Sequence, residues 1–130
     1  MMRSTILVLL LFAIAASSHA QDEEKCFDES TNLRTDRCLA EKLSNAERRL
    51  AAAILDLSKK LTKDELPLFE REQGAWQTYL DRHCHMAGSV FSGGRMESLI
   101  QGACRVRLTN QRLVDLQDID VSDRTDTPIR

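Results

Sequence analysis

Proline and aromatic residues are scarce in this chain of 130 residues, which has two prolines, one tryptophan, one tyrosine and four phenylalanines. So few prolines leave long stretches free to run as uninterrupted helix. No segment alternates polar and apolar residues, which excludes a half-buried β-sheet. Past Ala16 no run is apolar and long enough to cross a bilayer. Positive charge is not in excess either: 18 basic residues face 20 acidic ones, a net charge of −2. The basic stripe of a nucleic-acid binder is therefore missing, and no nucleic acid is expected as a partner. The chain also lacks a C-x-x-C pair and a G-x-S-x-G elbow, which removes a thioredoxin-like redox role and a hydrolase-type nucleophile. Gly93-Gly94 is too short to cradle a phosphate.

What is present begins with a leader. Arg3 precedes the uncharged run Ile6 to Ala16, and Ser18-His19-Ala20 puts small residues where a signal peptidase reads them. Residues 1–20 are expected to be a signal peptide cleaved before Gln21. The apolar run is too short for a permanent span. Cys26 follows Glu23-Glu24-Lys25 rather than the small apolar residues of a lipid-attachment site, so no stable membrane anchor is expected. These features describe a periplasmic or secreted protein. Loss of Arg3 with the leader makes the net charge one unit more negative. Cys26, Cys38, Cys84 and Cys104 all follow the leader, and an even number in a small exported chain implies two disulfides. Each would stabilise by roughly 2–4 kcal/mol.

The apolar spacing is helical. Leu39, Leu43, Ala46, Leu50, Ile54, Leu57 and Leu61 line one face of a first helix, with Asp36 as its expected N-cap. A second helix is expected from Asp64, with Pro67 in its first turn and Leu66, Phe69, Gln73, Trp76, Leu80 and His83 on its inner face. A third follows Gly93-Gly94, burying Met96, Leu99, Ile100, Ala103, Val106, Leu113 and Leu116, with Ser92 as a candidate cap. The expected fold is all-α: a small antiparallel three-helix domain over residues 21–118, stapled by two disulfides, with an acidic tail at 119–130. The heptad spacing of the first helix also fits a coiled-coil dimer, but the short Thr62-Lys63 connection favours folding back within one chain.

Two cysteine pairings remain open. Local pairing, Cys26–Cys38 and Cys84–Cys104, is favoured. With a turn near Thr62, however, Cys84 falls within roughly 6 Å along the helix axis of the point opposite Cys38, so Cys38–Cys84 with Cys26–Cys104 is also feasible.

The crowded stretch His83-Cys84-His85-Met86 invites a metal or catalytic reading. Neighbouring helical residues diverge by about 100°, so the two histidines point apart. A thiolate ligand at Cys84 would also strand an odd cysteine in an oxidising compartment. His83 and His85 are better placed as helix-end residues facing the negative end of the helix dipole. No catalytic residue, metal site or cofactor is expected, and the carboxylates fall on solvated helix faces or in the tail. Trp76 is expected in the core, and Tyr79 at its edge. Met86 to Arg95, with Ser89, Phe91, Ser92 and Arg95, has the composition of a loop that a rigid scaffold presents for binding.

One order of residues is familiar. Cys26 and Cys38 are followed by Gln73, Trp76, Tyr79, Asp81 and Cys84, then Gly93-Gly94, then Cys104, Leu108, Thr109, Arg112 and Leu116. This order resembles the N-terminal domain of the LprI-type lysozyme inhibitors, exported bacterial proteins, over all but the leader and the tail. Leu80 and Arg95 stand where members of that family often carry arginine and serine, and each is a candidate to face a partner. The resemblance implies a binding protein rather than an enzyme, with an exported partner such as a lysozyme-like peptidoglycan hydrolase. An envelope interaction or immunity-like protein is the alternative, and a small metal-binding protein or enzyme a third.

Overall fold

The computed structural model describes residues 25–27 and 31–119. The expected leader at 1–20, and the acidic tail apart from Ile119, lie outside them. Three long helices follow a single helical turn at 25–27: α1 (Asn32–Lys60), α2 (Leu66–Ser89) and α3 (Met96–Gln117). No strand occurs among the described residues, so the fold is an all-α three-helix domain.

α1 starts earlier than expected. Thr31, not Asp36, is the N-cap: its backbone is extended (φ −143°, ψ 146°) and its Oγ1 accepts a hydrogen bond from the Arg34 N–H at 3.3 Å. Asn32 to Asp36 carry no apolar period, so the cap alone marks this end. At the far end, Lys59 and Lys60 occupy the last turn, where cations suit the helix dipole. α2 is introduced by a reciprocal capping box rather than by Asp64. Thr62 Oγ1 accepts from the Glu65 N–H at 3.3 Å, and Glu65 Oε2 accepts from the Thr62 N–H at 2.8 Å. Pro67 falls in the first turn of α2, where its missing N–H costs nothing.

α3 is the central element. Both α1 and α2 pack along it, while α1 and α2 meet each other near their connection. There Leu50 and Leu57 of α1, Phe69 of α2 and Leu113 and Leu116 of α3 form one cluster. At the opposite end Leu39 of α1 and Leu99 of α3 close around Cys26. α1 and α3 thus run parallel, with α2 antiparallel to both. A helix wedged between two others buries two stripes, and α3 hides Cys104, Leu108, Thr109 and Arg112 besides Leu99, Val106, Leu113 and Leu116. Met96, expected inside, is exposed, and Ile100 and Ala103 are half-buried, because the first turn of α3 projects beyond its neighbours. Ser92 does not cap α3; the N-cap position is Arg95, which makes no side-chain capping bond.

Cys26 is bonded to Cys38 and Cys84 to Cys104, each with Cα atoms 5.5 Å apart. The first bond pins the preceding turn to α1, and the second ties α2 to α3.

Candidate functional site

The order of polar residues along α2 and α3 becomes intelligible at their interface. Arg112 of α3 is only 4% exposed, and a buried guanidinium needs partners on every side. Its Nε and Nη2 donate to Gln73 Oε1 at 3.1 and 2.8 Å. Nη1 donates to Glu72 Oε1 at 2.8 Å, and Nη2 also reaches Glu72 Oε2. The guanidinium lies over the Trp76 ring, 5.7 Å from its centroid. One α-helical turn and more towards the α2–α3 connection, Asp81 accepts from Arg105 at 2.8 Å. The Cys84–Cys104 bond follows. At Gly88 the two helices approach so closely that a Cβ would overlap the Gln101 side chain and sit 2.9 Å from the Glu97 carbonyl. Gln73, Trp76, Asp81, Cys84, Cys104 and Arg112 thus belong to one continuous latch. Thr109 lies fully buried beside it, and its Oγ1 has no hydrogen-bond partner among the described residues. Leu80 is buried in the same interface, which withdraws it from any partner.

The loop that the latch supports is shorter than the stretch Met86 to Arg95. α2 continues through Ser89, because Met86 and Ala87 keep the helical hydrogen-bond ladder and Gly88 is needed for close packing. His83 and His85 therefore sit within the helix and not in its last turn. His83, expected on the inner face, is exposed and stacks on Tyr79 with ring centroids 5.1 Å apart. Residues 90–95 form the connection. The Phe91 N–H donates to Gly88 O at 2.8 Å, the Ser92 N–H to Ser89 O at 3.1 Å and the Gly94 N–H to Phe91 O at 3.2 Å. Gly93 has φ +82°, a left-handed conformation that favours glycine. The resulting tip exposes Val90, Phe91, Ser92, Arg95 and Met96. Ser89 is half-buried, its hydroxyl donating to Met86 O at 2.8 Å. Tyr79 is exposed but lies about 18 Å down the helix axis from Phe91. The structure therefore gathers Phe91, Ser92 and Arg95 at the tip and leaves Tyr79 on the flank of α2. Chemically the tip offers apolar contact and one guanidinium. Cys84 is committed to its disulfide, so the histidines beside it have no thiolate to complete a metal set.

Across residues 23–116 the chain matches the family model described as "Lysozyme inhibitor LprI". It belongs to the LprI family. An uncharacterized protein of Rhizobium meliloti (strain 1021) is 27% identical over 126 residues, covering 87% of this chain and 91% of the relative. No solved structure matches the chain.

In this LprI-family chain several site residues carried no separate signal in the sequence. Glu72 and Arg105 look like solvated charges until Arg112 and Asp81 are brought opposite them. Gly88 looks like the start of a loop until Gln101 is packed against it. A shallow depression of about 500 Å³ on α1, lined by Arg37, Ala40, Glu41, Ser44, Asn45 and Arg48, is a further surface that spacing alone did not suggest.

Proposed function

We propose that this protein is an exported, periplasmic or secreted inhibitor of lysozyme-like peptidoglycan hydrolases, and that it engages them through the α2–α3 tip. The observation that carries this reading is the burial of the latch. Gln73, Trp76, Asp81, Cys84, Cys104 and Arg112 hold α2 against α3, and so leave Phe91, Ser92 and Arg95 as the residues on a rigid mount that can reach a partner. Family membership supports the class of partner, and the leader-like start of the sequence supports export.

The tip suits such a target. A glycosidase cleft carries two carboxylates flanking the scissile bond, and an arginine approaching them would form charge-assisted hydrogen bonds. Val90 and Phe91 add apolar surface beside that charge. The acidic excess of the whole chain would steer it towards basic hydrolases and raise the association rate more than the final affinity.

The test is inhibition of a panel of lysozymes by the purified protein. Arg95→Glu should weaken inhibition by ten-fold or more, and Phe91→Ala by several-fold, with helix content by circular dichroism unchanged. A wild-type protein that inhibits no member of the panel sinks the proposal.

A further inference from the structure

α2 has two apolar faces, and one of them is bare. Phe69, Trp76, Leu80 and Cys84 are packed into the core clusters. A second set is exposed to solvent: Leu68 by 57%, Tyr79 by 51%, Met86 by 64% and Val90 by 72%, with Ala75 exposed between them. These five residues are spaced by seven, four, seven and four, so at 3.6 residues per turn they stay on one line. Leu68, Tyr79 and Val90 recur every eleven residues, a period that keeps a stripe nearly straight. The stripe runs for about 33 Å, with the stacked rings of Tyr79 and His83 at its centre. Scattered exposed apolar residues are ordinary, but a continuous stripe marks a contact surface.

We infer that this stripe is the seam of a homodimer in which two α2 helices pack antiparallel about a two-fold axis at Tyr79. The positions are symmetric about that residue. Leu68 and Val90 each lie eleven residues from it, so each would meet the other in the second copy, and Tyr79 would meet Tyr79. Charge selects the direction. Before Tyr79, α2 carries Glu70 and Glu72 against Arg71, with Glu65 at its cap. After Tyr79 it carries Arg82, His83 and His85 against Asp81, which is already bonded to Arg105. Parallel helices would set like charge beside like. Antiparallel helices set the acidic half of one copy against the basic half of the other, and place Glu72 about one turn from His83 of the second copy.

The stripe is narrow. At about 10 Å wide it covers some 300–400 Å² per copy, less than the roughly 800 Å² per partner of a standard interface, so the dimer is concentration-dependent. Phe91, Ser92 and Arg95 fall outside the seam. The dimer therefore carries two tips at opposite ends, about 45–50 Å apart along the helix axis, and each stays free to bind. In such a dimer one molecule can hold two partners.

Sedimentation of the purified protein from about 5 to 500 µM should show the mass rising from monomer to dimer; a monomer throughout that range overturns the inference. Tyr79→Glu and Met86→Glu, both at exposed positions, should raise the dissociation constant at least ten-fold while helix content is kept. A dimer indifferent to both substitutions uses another face, and the inference falls. For direction, Leu68→Cys protein mixed with Val90→Cys protein should cross-link on oxidation, while neither does so alone. Self-cross-linking of Leu68→Cys would mean a parallel seam and overturn the arrangement. None of these readouts involves a hydrolase, so the dimer and the inhibitor proposal stand or fall separately.

Discussion

The two seams that hold α3 in place are built on different principles. Along α1, contact is made by interchangeable apolar side chains: Leu39 against Leu99, and Leu50 and Leu57 against Leu113 and Leu116. Any residue of similar volume that follows the helical period serves there. Along α2, contact depends on particular groups: a bidentate arginine with its Glu and Gln, a Trp under the guanidinium, an Asp–Arg pair, a disulfide and a glycine. Each of these needs a named partner at a fixed distance. The contrast teaches where the diagnostic order of residues resides. It describes how α2 is fastened to α3 and only indirectly what the protein binds, since the tip that faces solvent is the fastening's product.

The contrast can be broken most forcefully at the disulfides. Chain entropy assigns about 3 kcal/mol to each, because sequence separations of 12 and 20 differ by less than about 0.5 kcal/mol in loop-closure cost. Cys84 and Cys104 are both buried, whereas Cys38 is half-buried. Replacing Cys84 and Cys104 by alanine should therefore cost more in urea unfolding than replacing Cys26 and Cys38, and equal losses would remove the distinction. Arg112→Ala comes next. Removing one partner of a buried ion pair costs about 3–5 kcal/mol, but Glu72 is 52% exposed and can be rehydrated, so about 2–3 kcal/mol is expected. Arg112→Lys should recover little of it, because an ammonium cannot make the fork to Glu72 and Gln73.

On the α1 side the effects should be smaller. Leu50→Met conserves volume and should cost less than about 1.5 kcal/mol; a larger loss would show that this seam is as particular as the other. The smallest effect is at the end of α1. The hydrogen bond from Lys60, at 2.6 Å, and then its charge hold the exposed Asp56 carboxyl below its ordinary value of 3.8. A depressed folded-state value gives stability that is complete above the unfolded value and is lost as pH falls through the folded one, below about pH 4. Lys60→Met should thus lower the unfolding midpoint slightly at pH 7 and leave it unchanged at pH 2.

Much of the fold was legible because amphipathic period is local. The face of α1 from Leu39 to Leu61 and the connection at Thr62 follow from spacing and from one capping box. The start of α1 was misread because Thr31 caps a turn with no apolar period behind it. α3 was half read: its pattern announces one buried stripe, but a helix with neighbours on two sides buries two. The site was less legible still. Glu72, Arg105 and Gly88 acquire their roles only from residues 13 to 40 positions away, and no local pattern encodes such a distance.

By itself, then, the sequence determined that the chain is helical, where its helices break, and which two faces of α2 are apolar, since each depends on neighbours within a few residues. Tertiary structure decided the rest. It made α3 the central helix, turned Arg112 inward onto Glu72, Gln73 and Trp76, carried α2 on to Ser89, and left the stripe from Leu68 to Val90 in solvent. Those outcomes depend on which of two apolar faces another helix covers, and that is settled by packing between segments far apart in the chain.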